Sequence, residues 1–321
     1  MRIEPSPPAH PLRGYFFIAA AALLWGISAA LGRAVFTGKL GLGGAMRPID
    51  PLILSQSRTT FSLLALLPIL AISGGWERMR LPARDLGYCL LLGTLGVAVS
   101  NYFYYVAIQR TNVAIAITVQ YTAPVWVLIY VVARGRQKLT PRRLAAVALA
   151  VAGIALVINL LGKGAALRFD KYGIGAALLA SFSFAFYNVA GHGILGRHDR
   201  WRVLVWTLAA ASAFWLIVNP PWKVAAAHYA LSQWVFLFGF SMISVLGAFS
   251  LYFLGLQHLE PTRAIIASCL EPVFSILLAA LLLGEGLRPV QTVGMACVLA
   301  AIILVQRPES REAVSAFEPV D

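Results

Sequence analysis

The chain has 321 residues, 60% of them hydrophobic and 12% charged, with a mean hydropathy of +0.78. Soluble domains carry roughly 25% charged residues, so this composition excludes a soluble globular protein and indicates an integral membrane one. The formal charge of +13 does not call for a nucleic-acid partner, because the Lys and Arg residues lie mainly in short breaks between apolar runs, where they orient a chain in the bilayer.

Residues 1–13 form a polar, proline-rich arm. The first apolar run, 14–36, exceeds the length of a signal-peptide core and is expected to remain as a helix. Nine further spans follow at 51–73, 86–108, 112–133, 142–161, 172–192, 203–219, 233–256, 262–283 and 288–306. Each is apolar and near the length needed to cross ~30 Å of hydrocarbon at ~1.5 Å per residue. The connections are too short for a soluble domain, and the tail 307–321 is polar. Cys89, Cys269 and Cys297 lie within apolar segments without metal-ligand spacing, so no disulfide, metal or cofactor is expected. With the N-terminus inside, sixteen Lys and Arg residues fall on cytoplasmic segments and nine on outer ones, a bias that puts both termini in the cytoplasm.

Displacing the sequence by 148 residues superimposes Tyr104-Tyr105 on Tyr252-Phe253, Gln109 on Gln257, Pro124-Val125 on Pro272-Val273 and Pro141 on Pro289. The match extends to Ala148 and Ala152, which meet Ala296 and Ala300. A displacement of 159 similarly brings Gly14 and Trp25 onto Gly173 and Phe184. The chain therefore reads as a duplicated five-helix unit, 14–161 and 172–306. Five being odd, the two units are expected to enter the membrane in opposite senses, the inverted repeat common among secondary transporters. The fold class expected is all-α, ten transmembrane helices around a central cavity.

Polar and aromatic residues sort by helical spacing. Phe184, Tyr187 and Asn188 share a stripe of the sixth span, and Trp25 and Ser28 occupy the matching stripe of the first. Asn101 lies near Tyr104 and Tyr105 in the third span, Gln120 one turn before Pro124 in the fourth, and Ser241, Ser244 and Tyr252 in the eighth. Such a lining of rings, amides and hydroxyls suits a small amphipathic molecule, although each residue could equally serve helix packing. His192 reads as a solvated or capping residue, and Trp201, Trp206 and Trp222 as interfacial belts.

Two charges stand apart. Glu271, just before Pro272, is the one carboxylate inside a span, where a charge costs at least ~2.5 kcal/mol on insertion scales. Arg58 lies ~10 Å into the second span and Glu271 ~14 Å into the ninth, from opposite ends, so the two reach similar depths. They could form a structural ion pair, or Arg58 could attract a substrate carboxylate while Glu271 meets an ammonium group or a proton. Pro124 and Pro272, matched in the repeat, are expected to be structural.

The opening ALLWGISAALGR, the mid-helix Tyr121-Thr122-Ala123-Pro124-Val125, and Leu270-Glu271-Pro272-Val273 with Leu283-Gly284-Glu285 resemble the EamA-type branch of the drug/metabolite transporter superfamily. Within it the chain looks most like bacterial amino-acid exporters of the YddG type, which carry aromatic and other amino acids. One departure is that the first repeat has Arg134-Gly135 where Glu285 would have its counterpart. The resemblance implies a cavity lined by helices one to four and six to nine, with five and ten peripheral, in a bacterial inner membrane. The small-residue pairs of the fifth and tenth helices suit close packing or a homodimer contact. The function expected is export of amino acids, aromatic or hydrophobic ones foremost, and related small metabolites, by alternating access and without an enzymatic step. A small-cation exporter is the alternative, using Glu271 alone. A membrane-embedded enzyme is disfavoured because Ser28 has no His placed to activate it.

Overall fold

The computed structural model describes residues 11–36, 49–74, 79–110, 116, 119–157, 170–283 and 288–306. The expectations for the arm up to residue 10, the tail from 307, Gly284-Glu285 and the side chains of Tyr105 and Gln109 lie outside the described residues. All regular structure described is helical: α1 (Pro11–Phe36), α2 (Pro51–Gly74), α3 (Ala83–Leu91), a π-segment Leu92–Ala98, α4 (Val99–Arg110), α5 (Ala123–Ala133), α6 (Pro141–Val157), α7 (Lys171–Leu195) and α8 (Arg200–Val218). There follow α9 (Pro221–Ala225), α10 (Leu231–Ser241), a second π-segment Met242–Gly247, α11 (Ala248–Leu256), α12 (Pro261–Ser268), α13 (Leu270–Leu283) and α14 (Pro289–Gln306). Among the described residues six stretches are long and apolar enough to cross a membrane. Side chains such as Ile72, Ile217 and Leu281, at least 80% exposed, leave apolar surface that would be unfavourable in water and is at home in lipid.

The duplication extends to the irregularities of the fold. Displaced by 148 residues, the π-segment Leu92–Ala98 overlaps the one at Met242–Gly247, and α5 and α6 fall on α13 and α14. Each repeat also breaks a helix just before its matched proline. Tyr121 and Thr122 form a turn ahead of α5, and Cys269 forms one between α12 and α13. The cause is chemical. Pro124 and Pro272 have no N–H to donate, so the carbonyl four residues earlier loses its partner and the chain tightens locally. The tightening shows as three-residue bonds, Thr122 N–H to the Val119 carbonyl and Cys269 N–H to the Ile266 carbonyl, both 3.1 Å.

The halves pack by exchange. The first helix of the first half, α1, lies against α11 and α13 of the second, and α7 lies against α4 and α5 of the first. The Trp-Gly pair of α1 serves this crossing: a Cβ on Gly26 would stand 2.8 Å from the Phe274 Cβ, so only glycine lets α13 approach at that point. Helices α6 and α14 pack on each other, with Gly153 and Gly294 at the crossing, where a Cβ on Gly294 would fall 2.5 Å from the Val157 backbone nitrogen. The closest part of this contact is therefore made by the glycines. Ala148, Ala152, Ala296 and Ala300, matched in the repeat, remain on the exposed side.

Candidate functional site

The site is built on the π-segment of α10–α11 and on the break before α13. Helix α2 brings an unusually polar run for a membrane span, Ser55-Gln56-Ser57-Arg58-Thr59-Thr60, followed by Ser62. Unpaired polar groups are costly in hydrocarbon, and Gln56, Arg58 and Ser62 find partners across helices, whereas Thr59 bonds the Gln56 carbonyl of its own helix and the buried Ser55 and Thr60 hydroxyls have no partner among the described residues. The Ser62 hydroxyl donates to the Ser241 carbonyl (3.1 Å), the Ser241 hydroxyl to the Ser57 carbonyl (3.2 Å), and the Asn219 amide to Gln56 Oε1 (2.8 Å). These bonds tie α2 to α10 and to the end of α8. Of this seam only Ser241 and Arg58 are anticipated from the sequence, although the density of hydroxyls within one apolar span is visible there.

Arg58 is held within that frame. Its Nε donates to Ser244 Oγ (2.9 Å) and its Nη2 to the Ser244 carbonyl (3.4 Å), with the guanidinium 5.6 Å from the Phe240 ring centre. Trp25 Nε1 donates to the same carbonyl at 3.1 Å. Ser244 lies in the π-segment, and its carbonyl accepts from both of these side chains. Nη1 of Arg58 has no hydrogen-bond partner among the described residues.

Glu271 lies in the first turn of α13, where the positive end of the helix dipole favours a carboxylate. Its Oε2 accepts from the Tyr121 hydroxyl at 2.6 Å, and Oε1 has no partner among the described residues. Arg58 is close enough to attract Glu271 through space, yet among the described residues no ion pair joins them. Each charge is anchored by a neutral partner and keeps one polar end without a partner among the described residues. In the sequence Tyr121 stands out only as part of a motif, and nothing local marks it as the carboxylate's partner.

The other expected residues divide by burial. Ser28 donates to its own helix at the Leu24 carbonyl (2.8 Å) and is 5% exposed. The Asn188 amide donates to the Phe184 carbonyl (2.8 Å), and its Oδ1 accepts from the Tyr252 hydroxyl. Tyr252 packs against Trp25 at 5.2 Å and stacks with Tyr187 at 6.1 Å between ring centres. Trp25, Tyr187, Asn188, Ser244 and Tyr252 are thus brought together as a buried aromatic and amide wall. Arg58, Asn101, Tyr104, Gln120, Phe184 and Glu271 keep part of their surface exposed. Pro124 and Pro272 begin the segments that follow the two breaks. His192, expected to be solvated or capping, is a tie between helices, with Nδ1 2.9 Å from the carbonyl of Leu256, the last residue of α11. Trp206 likewise bonds the Met79 carbonyl at 2.8 Å. A groove of about 510 Å³ beside α1 and α11, lined by Leu12, Arg13, Phe16, Phe17, Leu254 and His258, includes none of these candidates.

A duplicated all-helical membrane chain with paired helix breaks can be set beside known families. The sequence matches the EamA-like transporter family twice, over residues 12–159 and 171–307. The chain belongs to the EamA-like transporter family. It is a multi-pass membrane transporter and not an enzyme, and the two family matches correspond to its two halves. This EamA-like transporter is 28% identical to an uncharacterised transporter of Archaeoglobus fulgidus, over 80% of this chain and 87% of that one. It is 24% identical to the uncharacterised inner membrane transporter YicL of Salmonella typhimurium, over 95% of this chain and 98% of the relative. It is 27% identical to the threonine/homoserine exporter RhtA of Escherichia coli K12, over 84% and 89%. A solved crystal structure shares its fold with a TM-score of 0.73 at 17% identity, covering 95% of this chain and 99% of that one. None of these relatives is named as a YddG-type exporter.

Proposed function

We propose that this EamA-like transporter is a secondary exporter of amino acids, with ten transmembrane helices as two inverted repeats, 14–161 and 172–306, in an inner membrane and both termini cytoplasmic. The observation that carries the reading is the pair of separated charges. Arg58 and Glu271 are each fixed through one part of the side chain and each leave one polar end without a partner among the described residues. A guanidinium and a carboxylate that do not neutralise one another suit the two ends of a zwitterion, the substrate carboxylate on Arg58 and the ammonium on Glu271. A small cation would use Glu271 alone and would find Arg58 repulsive, which makes that alternative the weaker one.

The threonine/homoserine exporters among the relatives support amino acids as the class. The partly exposed rings of Tyr104 and Phe184 give the site apolar wall for hydrophobic and aromatic side chains, the range expected from the YddG-type resemblance. Asn101 and Gln120 would offer amides beside them, and the buried Trp25, Tyr187, Asn188 and Tyr252 would shape the wall behind. The exposed alanines of α6 and α14 would form the contact of a homodimer.

The test is uptake into proteoliposomes of labelled aromatic, aliphatic and charged amino acids beside a quaternary-ammonium dye. Glu271→Gln, which keeps the shape and removes the charge, should lower amino-acid uptake at least tenfold, the loss of about 1.4 kcal/mol or more in recognising the substrate. Transport of the dye with failure of every amino acid would replace this reading by the cation exporter.

A further inference from the structure

We propose that Tyr121 is a positioning residue for substrate, holding Glu271 in the rotamer that presents its second carboxylate oxygen to the ammonium group. The inference rests on Glu271 as the ammonium's partner and adds the device that orients it.

Three observations support it. The hydrogen bond from the Tyr121 hydroxyl to Glu271 Oε2, at 2.6 Å, occupies one oxygen and leaves the other without a partner among the described residues. A carboxylate on a flexible stem recognises a cation best when its rotamer is already fixed, because ordering it on binding would weaken affinity. Tyr121 is itself well fixed: it is 6% exposed, lies in the core cluster of α5, α6 and α14, and meets Phe184 edge-to-face at 6.4 Å.

The third observation is asymmetry. Tyr121 lies in the helix break of the first half and Glu271 just past the break of the second, so the bond joins the two halves at equivalent points. The counterpart of Tyr121 under the 148-residue displacement is Cys269, and its thiol turns back to the Ile265 carbonyl of its own helix at 3.5 Å. The counterpart of Glu271 is Ala123, which has no polar side chain. A bond that only maintained the duplicated scaffold would be expected in both copies. This one occurs where the lone carboxylate is, which ties it to that carboxylate's task.

The deciding experiment is a double-mutant cycle in proteoliposomes, with initial uptake rates measured over a range of labelled L-threonine and L-phenylalanine concentrations. Tyr121→Phe keeps the ring and its packing while removing the donor. It should raise KM about fivefold with the maximal rate within about twofold, the pattern of lost ground-state binding. In a Glu271→Gln background the same change should alter KM by less than about twofold. If Tyr121→Phe leaves KM unchanged while Glu271→Gln is defective, the role of Tyr121 is overturned and the Glu271 site stands. If Tyr121→Phe raises KM equally in both backgrounds, the tyrosine acts through packing and the inference also falls. A Glu271→Gln protein with wild-type kinetics, or a wild-type protein that carries neither amino acid, removes the site on which it rests.

Discussion

Arg58→Met is expected to lower amino-acid uptake about thirtyfold while leaving the melting temperature in detergent unchanged or higher. The two effects separate because Arg58 does opposite things to folding and to binding. Removing it forfeits the bonds to Ser244 Oγ and to the Ser244 carbonyl. Hydrogen bonds to a charged group contribute about 1.5–3 kcal/mol. It also removes a charge whose burial in a span costs about 2.5–3.5 kcal/mol, and methionine fills much of the same volume. These terms offset each other, and the Ser244 carbonyl still accepts from Trp25 Nε1. Binding has no such compensation, since the loss of one charge-assisted contact worth about 2 kcal/mol is about thirtyfold in affinity. Arg58→Lys restores the charge without the planar fork that grips Ser244 through two nitrogens, and should recover only part of the activity. Uptake assays paired with thermal melts check this. A clear drop in melting temperature with unaltered substrate affinity would make Arg58 a structural residue and remove half of the proposed site.

The frame of this protein was legible in the sequence because its signals are local or periodic. A span is a run of apolar residues, and the duplication is a constant displacement that carries Pro124 onto Pro272 and Pro141 onto Pro289. The helix breaks follow from those prolines by the loss of one donor. What the sequence did not reveal lies in how helices are rotated and which faces meet. Counting residues from the membrane edge puts Arg58 and Glu271 at similar depth and leaves open both an ion pair and two separate roles toward a substrate. Depth along the membrane normal says nothing of azimuth, and rotation has turned Arg58 to Ser244 and Glu271 to Tyr121.

The π-segments explain a second loss. Face arguments for Ser241, Ser244 and Tyr252 assume 3.6 residues per turn throughout, but Met242–Gly247 is wound more widely and shifts the phase between its flanks. Periodicity likewise showed that Tyr187 and Asn188 share a face without showing what covers it. In the structure that face meets α11, where Tyr252 bonds Asn188 and stacks on Tyr187.

Gly93→Ala should cost about 3 kcal/mol or more in stability, whereas Gly87→Ala, six residues earlier in the same span, should be neutral or slightly stabilising. The contrast comes from what each Cβ would meet. At Gly93 it would fall 2.1 Å from the backbone carbonyl oxygen of Thr207, with the Ala210 Cβ at 2.7 Å, so no side-chain rotation can relieve the overlap. Helix α8 and the π-segment Leu92–Ala98 would have to part by about 1 Å, which loosens the buried cluster containing Leu92, Leu208, Ala211 and Trp215. Overpacking a tight core costs about 1–3 kcal/mol, and more when the obstacle is backbone. At Gly87 nothing lies within 4 Å of the added carbon, and replacing glycine within a helix gains about 0.5–1 kcal/mol. Thermal melts of the two single variants in the same detergent make the comparison, with Gly87→Ala as the control for helix propensity. Equal melting temperatures would mean that the third span does not approach α8 this closely. The seam is also where the two halves meet, since Leu92–Ala98 belongs to the first repeat and α8 to the second. A wedge there should therefore lower uptake as well as stability, by changing how closely one half can close on the other.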